Sequence, residues 1–241
     1  MDVLFFLQIR TKFIRDFYRE TSFPFTERKR KIEAGEDPFQ LPYSEGGDPP
    51  FLEEWQEAEE AIDVLGQMCI SLLSSCLQLY LKESINELHR SYSSEFLAKT
   101  GIGRPEDNKA TFKKGWINGY RIFFRNRLRI DWARAPSNLN LLEEIVLTRN
   151  KAQHPETIRT LGIQQSHHDR AKYRRSFFAD ELEMKLFDGN DDYPSGEWVL
   201  PRYLNITGEK LLTAADEVDS FCGWLENELL NWPSQLKETT W

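Results

Sequence analysis

The segment whose residue types and spacing could carry chemistry is RNKAQH, residues 149–154, which a proline follows. Arg149 can hold two phosphate oxygens and stabilise the charge that develops on phosphorus when a phosphodiester is cleaved. His154 can act as an acid or a base near neutral pH, and Asn150 can orient His154 or the phosphate. RNA carries its own nucleophile, the 2′-hydroxyl, so these groups are suited to RNA cleavage that requires no metal.

A helix must position this segment. Asn140 and Glu143 fit a capping box, and Pro155 predicts that the helix ends at His154. The apolar residues that should form its buried face are Leu141, Leu142, Ile145 and Val146. Positions five apart on an α-helix are offset by about 140°. One chain therefore cannot easily bring Arg149 and His154 to a single phosphate, but a two-fold dimer can supply both groups.

The net charge of −8 hides a strong asymmetry along the chain. Residues 99–175 carry 17 basic and 7 acidic side chains, whereas the stretches before and after them are acidic. The candidate RNA-binding residues are Lys151 and three arginines spaced four apart, Arg121, Arg125 and Arg129, which would form one stripe on a helix over 110–132. The alternative is internal neutralisation, in which the basic region packs against acidic parts of the same chain.

Residues 139–155, LNLLEEIVLTRNKAQHP, resemble the signature helix of the HEPN superfamily. That family carries an Arg, usually followed by a polar residue, and then a His a few residues later near the end of a late helix; Arg149, Asn150 and His154 match. The resemblance implies an up-down helical bundle. It also implies a metal-independent endoribonuclease that acts as a homodimer, in a toxin–antitoxin, antiviral or RNA-processing setting, with an antitoxin or defence protein as partner. The alternative is a non-catalytic member that binds a protein, an anion or a nucleotide.

The first half of the chain predicts long helices around one loop. Residues 2–20 suit an amphipathic helix that Pro24 should interrupt. Glycines and prolines over 35–50 predict a loop. No proline occurs between 51 and 104, so the apolar periodicity there predicts one very long helix, or two helices joined near 91–94.

The second half predicts further helices after the Arg/His segment. Residues 166–187 suggest a helix, and a short hairpin is expected around 197–200. The last helix should run from Thr207 to about Asn231, with Pro233 ending it.

These elements predict a single all-α domain over residues 1–241. Residues 1–48 would hold an N-terminal helix and a loop, and residues 49–232 would form the core bundle, which we expect to be of HEPN type.

Other features argue against other classes of protein. The cysteines, Cys69, Cys76 and Cys222, lack zinc-ligand spacing, which favours small core residues in a reducing cytosol. The uncharged run over 64–81 reaches the length of a membrane span, but its polar residues favour a buried core helix. The His167-His168-Asp169 cluster is more typical of a polar helix start than of a metal site. We therefore expect a cytoplasmic protein without a membrane span, a metal or a cofactor.

Overall fold

A computed structural model describes residues 2–40, 49–100, 109–112, 115–154, 160–165, 169, 172, 176–180 and 203–238. Over these residues the protein is mostly helical and contains one two-stranded sheet. The predicted all-α class is therefore confirmed.

The helices and strands follow in chain order. The helices are α1 (Val3–Ala34), α2 (Leu52–Ser91), α3 (Ser94–Thr100), α4 (Lys109–Phe112), α5 (Trp116–Phe123), α6 (Leu139–Gln153) and α7 (Gly208–Glu238). The strands β1 (Ile163–Gln164) and β2 (Tyr203–Leu204) pair antiparallel, with Ile163 opposite Leu204.

Contacts divide the chain into two compact units. The first unit comprises Met1–Phe13, Leu73–Val146 and Thr213–Trp241. The second unit comprises Ile14–Leu72 and Leu147–Leu212. Buried aromatic rings hold the first unit together: Trp132 lies 4.7 Å from Phe221 and 5.7 Å from Phe124 between ring centres. In the second unit, Gly66 of α2 packs directly against the backbone of Ile206. The organisation as a single domain stays a prediction.

α1 continues through Pro24, so the predicted break there is wrong. A proline removes one backbone donor from a helix, but contacts with α2 hold the residues that follow it. Lys29 pairs with Glu59 and lies 4.2 Å from the ring centre of Trp55. The Trp55 indole nitrogen donates to Glu33 Oε1 at 2.9 Å. The charged stretch after Pro24 is therefore an anchored part of the helix.

Of the two alternatives predicted for residues 51–104, the structure has the two helices joined near 91–94, because α2 ends at Ser91 and α3 begins at Ser94. The Ser93 hydroxyl accepts from the Phe96 amide at 3.3 Å and so helps to start α3. By length and composition α2 could cross a membrane, and 56% of its most apolar stretch is buried within the protein. Buried core helices and membrane spans share these properties, so the absence of a membrane span stays a prediction.

The single helix predicted over 110–132 is wrong. α5 is followed by a π-helical turn, Phe124–Leu128, and Arg129 then adopts a left-handed conformation with φ of 58°. Leu128, which ends the turn, is buried, and beyond it Ile130 and Trp132 are buried while Arg129 is exposed. Burial of every second residue departs from helical periodicity, and the helix ends where this alternation begins.

Within the helix predicted over 166–187, the described residues agree with the prediction at two positions and differ from it at 176–180. Asp169 and Lys172 are helical, whereas Ala179 forms a β-bridge with Leu204, and most of this stretch lies outside the described residues. The hairpin expected around 197–200 also lies outside them.

α7 extends beyond its predicted end. Thr207 caps its start, since the Thr207 hydroxyl accepts from the Lys210 amide at 3.3 Å. The helix does not stop before Pro233 but continues to Glu238. Trp232 is buried, and its ring centre lies 5.7 Å from that of Tyr92. This packing holds the helix in place where the proline removes a backbone hydrogen bond.

Candidate functional site

Asn138 caps the helix that carries the Arg/His segment. Its side-chain oxygen accepts from the amides of Asn140 at 3.1 Å and Leu141 at 3.3 Å. The capping box predicted at Asn140 is therefore wrong, because α6 already begins at Leu139. Glu143, the expected second member of that box, instead accepts from the Asn118 amide group at 3.0 Å.

The predicted buried face of α6 is confirmed. All four of its apolar members are buried: Leu141, Leu142, Ile145 and Val146. Glu144 and Thr148 are also buried, at 7% and 2% exposure. The buried face thus extends to Thr148, and the polar groups of the candidate site lie after it, in the last turn of α6.

The structure brings Arg149 and Asn150 together at the end of α6. The Arg149 guanidinium donates to the Asn150 side-chain oxygen, with Nη1 and Oδ1 2.9 Å apart. Both side chains are partly buried. The contact fixes Arg149 through a neighbour, whereas the sequence suggested that Asn150 orients His154 or the phosphate.

His154 lies at the end predicted from Pro155. α6 ends at Gln153, and the His154 amide still donates to the Asn150 carbonyl oxygen at 3.1 Å. Helical geometry therefore extends from Arg149 to His154, which gives an offset of about 140° around the axis and a rise of roughly 7.5 Å along it. His154 is exposed, whereas Arg149 is partly buried. The two side chains thus leave the helix in different directions.

The three predicted RNA-binding arginines do not form a stripe on one straight helix. Arg121 lies in α5, Arg125 in the π-helical turn, and Arg129 in the left-handed position after it. All three are exposed, and none forms an ion pair with another described residue. They belong to the first unit, whereas Lys151 and the other residues of the Arg/His segment belong to the second.

Arg127, which is also exposed in this turn, is a basic residue that the predicted stripe did not contain. Helical spacing places Arg127 away from the arginines at every fourth position, so a stripe did not include it. The alternation of Leu128, Ile130 and Trp132 with polar residues is the pattern that could have shown that the helix ends here.

Two other kinds of chemistry lack supporting groups in the described part of the chain. There, no cluster of three or more His, Cys, Asp or Glu side chains could hold a metal ion, and His167 and His168 lie outside it. Burial raises the pKa of the Cys69 thiol to about 11, and burial also raises the pKa values of Cys76 and Cys222. These thiols are therefore protonated and inaccessible, unlike nucleophilic cysteines. The expected absence of a metal and a cofactor stays a prediction.

Comparison with protein-family models, with curated proteins and with solved structures found no match to this chain. The HEPN resemblance therefore stays a prediction that depends on residues 139–155 and on the helical architecture.

Proposed function

We propose that this protein is a metal-independent endoribonuclease of HEPN type, acting as a homodimer in which Arg149 of one chain and His154 of the other share a site. The observation that supports the proposal is the last turn of α6. There a partly buried arginine is held by Asn150, and an exposed histidine ends the same helix. The offset of about 140° between them favours a site built from two chains over one built from a single chain.

Each residue has a distinct role in this reaction. His154 accepts the proton of the RNA 2′-hydroxyl, and the 2′-oxygen then attacks phosphorus. Arg149, already oriented by Asn150, donates two hydrogen bonds to the phosphate oxygens as their charge increases. The bond between phosphorus and the 5′-oxygen breaks, and that oxygen takes a proton from solvent. The products are a 2′,3′-cyclic phosphate and a free 5′-hydroxyl.

The basic side chains outside this pair would bind the RNA backbone. Lys151 follows Arg149 and Asn150 directly, and the exposed Arg121, Arg125 and Arg129 add positive charge elsewhere on the surface. Contacts of this kind make affinity depend strongly on salt. We place the protein in the cytoplasm as a toxin or defence protein whose partner is an antitoxin or another defence component.

The test is cleavage of end-labelled RNA in the presence of EDTA. We expect the wild type to yield 2′,3′-cyclic phosphate ends. His154→Ala and Arg149→Ala should each lower the rate about a hundredfold or more. Gln153→Ala, at the exposed position beside His154, is the matched control and should retain the wild-type rate. Absence of cleavage, or equal cleavage by all four proteins, would contradict the proposal.

A second candidate function is a non-catalytic interaction module. The observation that favours it is a group of exposed apolar side chains on α1, where Phe5, Phe6 and Ile9 are each about half exposed. Large exposed apolar patches mark interaction sites. An RNA-inactive protein that still self-associates would support this function over the enzyme.

A further inference from the structure

One side of α1 exposes a cluster of large apolar side chains, which we name the α1 face. Its members, exposed by 49–60%, are Phe5, Phe6, Ile9 and Phe13. Positions 5, 9 and 13 are four apart, so their side chains project from one side of the helix. The rings of Phe5 and Phe6 meet edge to face, with 5.6 Å between their centres. The α1 face is thus a contiguous ridge and not a set of scattered side chains.

A groove of about 300 Å³ lies beside this ridge, within the first unit. Val3, Phe6 and Leu7 of α1 and Cys76, Leu79 and Tyr80 of α2 line it. Leu79 is 45% exposed and extends the apolar surface from α1 onto α2. The same surface therefore carries both an aromatic ridge and an apolar recess that a ridge could enter.

The charges at the groove make this surface complementary to a copy of itself. Arg10 and Glu83 both line the groove and carry opposite charges, and Glu83 also lies 3.7 Å from the Arg90 guanidinium of its own chain. In a two-fold interface, a contact between two residues of different copies occurs twice, once in each direction. Arg10 of each copy can therefore face Glu83 of the other. A surface with charge of one sign alone would repel its own copy at the same place.

The exposed area is also appropriate for a dimer. A fully buried aromatic side chain covers roughly 150–250 Å², so the half-exposed members of the α1 face, together with Leu79, leave roughly 400 Å² of apolar surface. A stable interface buries about 800 Å² on each partner and has an apolar centre with a polar rim. The α1 face and the groove provide the apolar half of such an interface, and Arg10 and Glu83 belong to its polar rim.

We infer that the α1 face and its groove form a two-fold interface with a second copy of this chain, with the Phe5–Phe6 ridge of each copy entering the groove of the other. This interface lies within the first unit and is inferred from the apolar surface of α1 and α2, independently of the proposed function. It stands without RNA cleavage, because the apolar surface calls for a partner in either case.

The test is the mass of the full chain in solution, measured by light scattering and sedimentation velocity at micromolar concentration. We expect the wild type at twice the chain mass of 28.4 kDa. Ile9→Glu should weaken the dimer roughly a hundredfold or more, because it would bury an unpaired carboxylate at the interface. Phe23→Glu is the matched control: Phe23 lies on the same helix and is 63% exposed, but it is not a member of the α1 face. Both variants replace exposed residues, so circular dichroism should show wild-type helix content.

A monomeric wild type, or a dimer that Ile9→Glu leaves intact, would overturn the inference. If the wild type is monomeric and binds phosphatidylserine vesicles while Ile9→Glu does not, the α1 face is a lipid-binding surface instead. RNA cleavage is scored separately on the same samples. If the wild type is a dimer that does not cleave RNA, only the proposed function is contradicted. If the Ile9→Glu variant dimerises as strongly as the wild type, only this interface is contradicted.

Discussion

Alanine in place of Gly66 of α2 should destabilise the protein, whereas alanine in place of Gly223 of α7 should stabilise it. A Cβ atom at Gly66 would lie 2.4 Å from the carbonyl oxygen of Ile206 and 3.0 Å from its Cβ atom. At Gly223, apart from its chain neighbours and the nearby backbone of its own helix, no atom of the described residues lies within 4 Å of the corresponding position. Alanine at Gly66 thus requires two backbone segments of the second unit to separate, whereas alanine at Gly223 enters open space.

The magnitude follows from two opposing effects. Replacing a glycine by alanine within a helix stabilises it by about 0.8–1.0 kcal/mol, and at Gly223 this gain should appear in full. Overpacking costs about 1–3 kcal/mol, and at Gly66 we expect the upper end because the obstacle is backbone. The two variants should therefore differ by roughly 2–3 kcal/mol in their free energy of unfolding. For a chain of this size that is roughly 4–12 °C in Tm.

The assay is urea unfolding at fixed temperature, together with thermal melting followed by circular dichroism. Both variants are compared with the wild type at one protein concentration, since self-association would shift both transitions. A Gly66→Ala protein at least as stable as the wild type would refute the close approach of α2 to Ile206. A destabilised Gly223→Ala protein would refute the open surroundings assigned to that position.

Three further predictions concern single side chains. Asn138→Ala should lower the free energy of unfolding by about 1 kcal/mol through loss of the α6 cap, and Asn140→Ala should change it by less than about 0.5 kcal/mol; equal effects in urea titrations would contradict the cap. Tyr80→Phe should cost about 1–2 kcal/mol in the same assay, because the lost hydroxyl lies 2.9 Å from both the Cys222 carbonyl oxygen and the Glu226 carboxylate. The third prediction concerns pH: burial raises the pKa of Cys69 from 9.0 to about 11. The contribution of this buried, protonated thiol to the free energy of unfolding is therefore complete below pH 9 and is lost as the pH rises through 11. The Tm should fall between pH 9 and 11, and Cys69→Ala should make the fall of Tm with pH less steep. An equally steep fall in the variant would contradict the raised pKa of Cys69.

The long helices could be predicted because each buries one apolar face over many turns. The periodicity of α2 predicted its length and its join with α3 near Ser91, and Pro155 predicted the end of α6. The rule that a proline ends a helix failed where contacts with other elements outweigh the loss of one backbone hydrogen bond. Pro24 and Pro233 lie within helices because contacts with other elements, such as the Lys29–Glu59 pair, hold the chain on both sides of the missing donor.

The candidate site could be predicted in position but not in detail. The sequence located Arg149 and His154 at a helix end, since a capping residue and a proline bracket the helix. It could not predict that the Asn150 side chain would accept from Arg149, because that contact depends on the rotamers of two neighbouring side chains. It also placed the cap at Asn140 instead of Asn138, because both residues have the same side chain and only the backbone distinguishes them.

The arginine surface differs from its prediction for a related reason. Spacing by four suggested one stripe for Arg121, Arg125 and Arg129, on the assumption of a continuous helix. The need to bury Leu128 and Trp132 ends that helix in a π-helical turn instead. Periodicity of charged residues is therefore a weaker guide than periodicity of the apolar residues between them.

The central claim, a site shared by two chains, is tested most directly with a heterodimer of two inactive variants. Arg149→Ala and His154→Ala chains carrying different tags are co-expressed, and the heterodimer is purified through both tags. One of its two sites then combines an intact Arg149 with an intact His154, and the other lacks both. We expect this heterodimer to cleave RNA at about half the wild-type rate, while both variant homodimers are inactive. A heterodimer as inactive as the homodimers would contradict it.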